Sequence, residues 1–166
     1  CHSDIEVMDE LGKKIADSYF RYQKMPWKKD NFANLLIQNH VTGAAMVMNQ
    51  SLLAYLKQVP DFVYMHDQWI ALLASAFGHI LVLPEALYAY RQHGENVLGA
   101  KKGGALREIK VRLGKNIKAR TESDKRSEEG YFALFHQGRE FQRFYGERLS
   151  KEDRRVLDAF LSLSKL

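Results

Sequence analysis

Two stretches of this 166-residue chain carry side chains suited to chemistry: Met65-His66-Asp67-Gln68-Trp69, and further along Tyr90-Arg91-Gln92-His93-Gly94-Glu95-Asn96. Asp67 falls in the first turn of an apolar segment with helical spacing, where free backbone N–H groups stabilise a carboxylate and fix its direction. A carboxylate so placed can take a proton from an attacking hydroxyl, and the same position equally suits a helix cap. His93 offers an imidazole to a metal or a phosphate oxygen, and Arg91 adds a charge-assisted donor suited to a diphosphate. One histidine is not a metal site by itself, and loop residues of this kind also serve as solvated groups or partners of nearby backbone. The Thr42-Gly43 pair has two readings as well: close approach of a ligand to the backbone, or tight packing of a strand.

The elements that must position these residues follow from hydrophobic spacing. Trp69, Ile70, Leu72, Leu73, Ala76 and Phe77 cover most of a helix circumference, which predicts a buried helix from Asp67 to Phe77, ended by Gly78. Ile80 to Leu83, before Pro84, reads as a short core strand, and Leu87 to Tyr90 as a second one leading into the Arg91 loop. Upstream, Ser3 to Val7 alternates as a strand and enters a turn at Asp9-Glu10-Leu11-Gly12. The mixed signal from Lys13 to Asp30 supports no assignment. Phe32, Leu35 and Leu36 predict a short helix capped by Asp30 or Asn31, and the apolar run from His40 to Met48 a buried strand. Ser51 is expected to cap a helix through about Gln58, stopped by Pro60. Helix between strands makes this region α/β.

Beyond Lys101-Lys102-Gly103-Gly104 the pattern is helical only, which places a boundary near residue 100. Residues 1–100 then form one domain and 101–166 a helical C-terminal extension. Leu106, Ile109, Leu113 and Ile117 make one stripe, and Tyr131, Leu134, Phe135, Phe141, Phe144 and Tyr145 a second. A third, with Val156, Leu157, Phe160 and Leu161, follows a capping box at Ser150 and Asp153.

At 46% hydrophobic the chain suffices for one core-bearing domain with an appendage, and no apolar run is long enough to span a membrane. The single cysteine, Cys1, excludes an internal disulfide and fits a cytoplasmic setting. A start at cysteine rather than methionine suggests a piece of a longer chain. The net charge of +5 is concentrated after residue 100, most densely in 101–126, where it would attract phosphates or an anionic membrane. A basic helix near 104–120 docking on membrane or acidic partners, with no catalysis, is therefore the alternative to an enzyme. A solvated Lys/Arg face is the plainer account of the same helix. Nucleic-acid binding, which rests only on the local basicity, is the weakest of the three readings, because no aromatic residues interleave with the basic ones and the helical stripes look like packing faces.

The order of three segments carries a resemblance. Asn39-His40-Val41-Thr42-Gly43-Ala44-Ala45-Met46, then Met65-His66-Asp67-Gln68-Trp69, then Tyr90-Arg91-Gln92-His93-Gly94-Glu95-Asn96-Val97-Leu98-Gly99 resembles the later half of bacterial family 2 glycosyltransferases, most of all the rhamnosyltransferase-like branch. Ser3-Asp4-Ile5 with Asp9-Glu10-Leu11-Gly12 is similar to the strand and turn after that family's metal-binding region, and Tyr145-Gly146 through Phe160 to its helical tail. The resemblance implies the C-terminal half of a GT-A fold that transfers a sugar, rhamnose by analogy with the branch, from a nucleotide-diphosphate donor to an acceptor hydroxyl with inversion. Asp67 matches the family's base, with His66 where many members have glutamate. Arg91, Gln92 and His93 match the donor-diphosphate side, with His93 also a metal candidate, and Thr42, Gly43, His66 and Trp69 the acceptor side. A divalent cation, Mg2+ or Mn2+, is implied, held mainly by acidic residues that the pattern places before residue 1 together with the nucleotide pocket. The resemblance thus implies a saccharide or lipid-linked acceptor, polysaccharide synthesis at the inner face of the membrane, no transfer by these residues alone, and self-association through an uncovered sheet edge.

Overall fold

The computed structural model describes residues 1–92 and 122–165. The protein is mixed α/β, with strands confined to a small sheet and helices making up most of the rest. Its described residues fall into two compact units, one of residues 1–28, 44–47 and 81–92, the other of 29–43, 48–80 and 122–165.

The first unit is a three-stranded sheet in the order β2-β1-β3, formed by β1 (His2–Met8), β2 (Lys14–Ala16) and β3 (Val82–Arg91). β1 is central, antiparallel to β2 and parallel to β3. The β1–β2 turn is made by Asp9, whose Oδ1 accepts from the N–H groups of Leu11 (3.0 Å) and Lys13 (2.8 Å), while Gly12 takes the positive φ of 81° that the reversal needs. Ile5 and Val7 of β1 are buried with Phe20 of the short helix α1 (Tyr19–Gln23). A buried carboxylate fastens that helix to the sheet: Asp4 Oδ2 accepts from Ser18 Oγ, and Asp4 Oδ1 from the N–H groups of Ile5 (2.8 Å) and Phe20 (3.1 Å). Ser18 in turn caps α1 by accepting from Arg21 N–H at 3.1 Å.

The second unit is helical. It contains α2 (Phe32–Ile37), α3 (Gln50–Leu53), α4 (His66–Phe77), α5 (Glu122–Tyr145) and α6 (Lys151–Ser162). The helices after residue 122 share a core with residues 29–80, through Phe32, Leu35, Trp69, Leu72, Leu73, Phe141, Tyr145 and Leu157. Phe141 sits at the centre, with ring centroids 5.3 Å from Phe32, Trp69 and Tyr145 alike. α5 and α6 approach closely because Gly138 faces Phe160 and Leu161, where a Cβ would lie 3.1 Å from the Phe160 ring. The cap expected at Ser150 forms: Ser150 Oγ accepts from Asp153 N–H (3.0 Å) and donates to its carboxylate (2.7 Å). Among the described residues no helix is long and apolar enough to cross a membrane.

Three expectations are corrected. Residues 40–48 do not form a strand: Gly43–Ala45 is a 3-10 turn, Val47 is exposed, and a single bridge joins Met46 to His2. The reason is side-chain capture, since Asn39 occupies both backbone groups of Val41 and Asp67 takes the Gly43 N–H. The two strands expected on either side of Pro84 are one, because the pairing with β1 shifts register between Ser3 and Ile5 and so passes over the residue that has no N–H to give. The helix expected from Ser51 begins earlier, with Asn49 Oδ1 accepting from Leu52 N–H at 3.0 Å, and tightens into a 3-10 turn at Ala54–Lys57. The unassigned stretch from Lys13 to Asp30 holds β2 and α1. β3 ends the described sheet with Leu87 and Tyr88 exposed, which is the feature that self-association would use.

The two links from Asp4 to α1 differ in weight. Asp4→Ala strips three donors of a buried acceptor and is expected to cost about 2–3 kcal/mol, whereas Ser18→Ala removes the cap and one of those donors but leaves both backbone bonds to Asp4, at about 1–2 kcal/mol. Urea denaturation of both variants measures the difference, and equal losses would show that the carboxylate adds nothing beyond the cap.

Candidate active site at the head of α4

α4 begins at Met65, whose side chain makes no capping bond, so its first turn must be satisfied from elsewhere. Two groups do this. Gln137 of α5 is fully buried and its Oε1 accepts from the N–H groups of Tyr64 (3.0 Å) and Met65 (3.4 Å). Asp67, 8% exposed, turns its carboxylate back over the helix start: Oδ1 accepts from its neighbour Gln68 N–H (2.8 Å) and from Asn39 Nδ2 (2.9 Å), and Oδ2 from Gly43 N–H (3.3 Å). The Gln68 amide donates to Leu35 O at 2.8 Å and locks α4 against α2.

Asp67, Gly43 and His66 are thus brought together, with Thr42 half-buried in the same loop. The His66 ring stands so close over Gly43 that a Cβ there would collide with Nε2. Glycine at 43 lets the ring approach closely and is not called for by backbone angle. Trp69, expected on the acceptor side, is a core residue at 1% exposure, edge-on to Phe141, and its Nε1 has no hydrogen-bond partner among the described residues.

Arg91 and Gln92 belong to the other unit. Arg91 ends β3 opposite Met8 of β1, and Gln92 N–H donates to Met8 O at 2.9 Å, so both lie where two parallel strands finish. His93 lies outside the described residues, as does the basic stretch 104–120. Among the described residues no three His, Cys, Asp or Glu side chains are grouped as a cation site requires.

Comparisons with protein families, with curated proteins and with solved structures gave no match. The geometry stands on its own.

Two residues at this site were not singled out from sequence. Asn39 sits inside a quoted segment, but an asparagine in a polar turn gives no sign of a partner 28 positions away. Gln137 lies far along the chain on a helix whose stripe is defined by aromatic residues.

His40, between Asn39 and Val41, is buried, and burial pushes its imidazole below its ordinary value of 6.5, with Asp30 opposing in part. The unfolded chain therefore binds more protons than the folded one between the lowered value and 6.5. Stability contributed by neutral His40 is complete above about pH 6.5 and falls as the pH drops through that window. Urea midpoints between pH 7.5 and 5 should decline in the native protein and decline less in His40→Gln. A second expectation concerns Gly43→Ala: because His66 is exposed and free to turn, the variant should lose under about 1 kcal/mol yet move the His66 ring resonances in NMR spectra. Unmoved resonances would show that the ring does not rest on the glycine.

Proposed function

We propose that this chain forms the acceptor-side part of an inverting, GT-A-type glycosyltransferase, with Asp67 as the base. The observation that carries the reading is the Asp67 carboxylate itself, held rigidly at the head of a core-packed helix with one oxygen only weakly engaged. In the reaction, the acceptor O–H proton passes to Asp67 as the acceptor oxygen forms its bond to the anomeric carbon. The bond from that carbon to the donor's diphosphate oxygen breaks on the opposite face, and the nucleoside diphosphate leaves with the electron pair. A fixed carboxylate suits this step because the proton moves only as the new bond forms, so alignment governs the rate.

The remaining support is positional. His66 and Gly43 stand beside Asp67, where an acceptor hydroxyl must arrive. Within the sheet unit, Arg91 and Gln92 lie at the carboxyl end of parallel strands, where α/β sheets commonly take phosphates, and a guanidinium has the charge to bind a diphosphate. The quoted resemblance adds the reaction class, with rhamnose as the sugar, a lipid-linked or saccharide acceptor, and the inner membrane face as the place of work.

The test is transfer by the full-length polypeptide, assayed with a panel of nucleotide sugars. Asp67→Asn should lower kcat at least about a hundredfold while thermal midpoint and nucleotide-sugar binding stay near native values. Full activity in that variant would leave Asp67 the loop fastener of the 39–43 turn and remove the base from this reading.

A further inference from the structure

Asn39 uses both donors of its amide and accepts one bond on its oxygen. Its Oδ1 accepts from Val41 N–H (2.9 Å), and its Nδ2 donates both to Val41 O (2.8 Å) and to Asp67 Oδ1 (2.9 Å). The Val41 N–H is a donor and nothing else, so it fixes which end of the amide is oxygen and leaves the NH2 end facing the carboxylate. The turn at 39–41 thereby aims a neutral donor at Asp67.

The consequence lies in how the two carboxylate oxygens differ. Each has two in-plane lone pairs. Oδ1 has both engaged, by Asn39 Nδ2 and by Gln68 N–H, at 2.9 and 2.8 Å. Among the described residues, Oδ2 receives only the Gly43 N–H, at 3.3 Å, beyond the usual range for a good bond. A proton arriving at Oδ1 must break one of two short bonds, whereas at Oδ2 it meets a lone pair with no donor on it.

We propose that Asn39 is the positioning residue of this site: by occupying Oδ1 it assigns the proton-accepting role to Oδ2 of Asp67, on the side of Gly43 and His66. This rests on Asp67 being the base. The Asn39 amide keeps its own bonds when Oδ2 takes the proton, so the 39–43 turn stays in place throughout the cycle. Aspartate at 39 could still accept from Val41 N–H and so keep one of the two bonds of the turn, but it would lose the bond to Val41 O and set a second carboxylate against the first.

The experiment compares Asn39→Asp, Asn39→Ala and Asp67→Asn in the full-length polypeptide, following sugar transfer across pH together with thermal midpoints. Asn39→Asp should fold, keep the native KM for the nucleotide sugar, lose kcat about tenfold or more, and move the acid limb of its pH–kcat profile upward by about one unit. Asn39→Ala should lose kcat with a smaller move. An inactive Asp67→Asn beside Asn39 variants of native kcat and native acid limb would overturn the positioning role and leave the base standing. An active Asp67→Asn would overturn both. A readout that needs no turnover is the pH response of the Gly43 and Gln68 amide resonances. Its midpoint should rise in Asn39→Asp, and an unchanged midpoint would overturn the proposal.

Discussion

The start of α4 has no cap of its own, and the helical unit is organised around supplying one. An apolar helix that begins in a protein interior leaves N–H groups that cost roughly 1–3 kcal/mol each if unpaired. Here Gln137 takes those of Tyr64 and Met65, and the Asp67 carboxylate takes those of Gln68 and Gly43. All but the Gln68 bond span a long stretch of sequence, so satisfying the polar groups around this helix end also fixes where the 39–43 turn and α5 must lie. Below that polar layer the aromatic cluster closes in, with Trp69 and Phe141 in contact one turn further down. The rigidity of the candidate site follows from this arrangement.

The two units use one device twice. Asp4 in the sheet and Asp67 in the helical unit are both buried carboxylates that gather backbone N–H groups from a neighbouring turn. Their surplus capacity distinguishes them. Asp4 has a backbone pair on one oxygen and the close Ser18 hydroxyl on the other, so its bonds serve the fold. Asp67 has Oδ2 held only at 3.3 Å, by a glycine with an exposed histidine over it. A group that must accept a proton needs an oxygen that is not firmly held, and of these two carboxylates Asp67 has the longer and weaker bond on its Oδ2.

Much of this was legible in residue spacing, and what was not has a physical cause. The α4 helix, the Asp9–Gly12 turn, the Ser150 cap and the placement of Asp67 at a helix head all depend on local rules of period and capping, and the chain obeys them. Residues 40–48 misled because an apolar run carries no mark of which partners its backbone will find. The side chains of Asn39 and Asp67 outcompeted a strand ladder there, through a pairing between residues 28 apart that no local pattern reveals. β3 misled in the opposite way, since Pro84 breaks an ordinary strand but is tolerated where a bulge skips it. Trp69 followed the helical stripe into the core, which the period of its neighbours already favoured over a surface role.

Under the proposed function, Asp67 would both fasten a loop and take a proton, an apparent conflict because neutralising it should weaken the bonds that fasten the loop. The geometry divides the two duties between two atoms. Oδ1 has the short bonds, from Gln68 N–H and Asn39 Nδ2, and after protonation at Oδ2 it remains a carbonyl-like acceptor able to keep both. What weakens is the long contact from Gly43, the least costly of the three to lose. The loop can therefore stay fastened while the charge comes and goes. The same division explains why an asparagine, and not a second acid or a lysine, belongs at position 39. An acid would repel Oδ1, whereas an ammonium would hold the carboxylate so strongly in its charged form that it would be a poor proton acceptor. A neutral donor fixes direction and leaves basicity to the site.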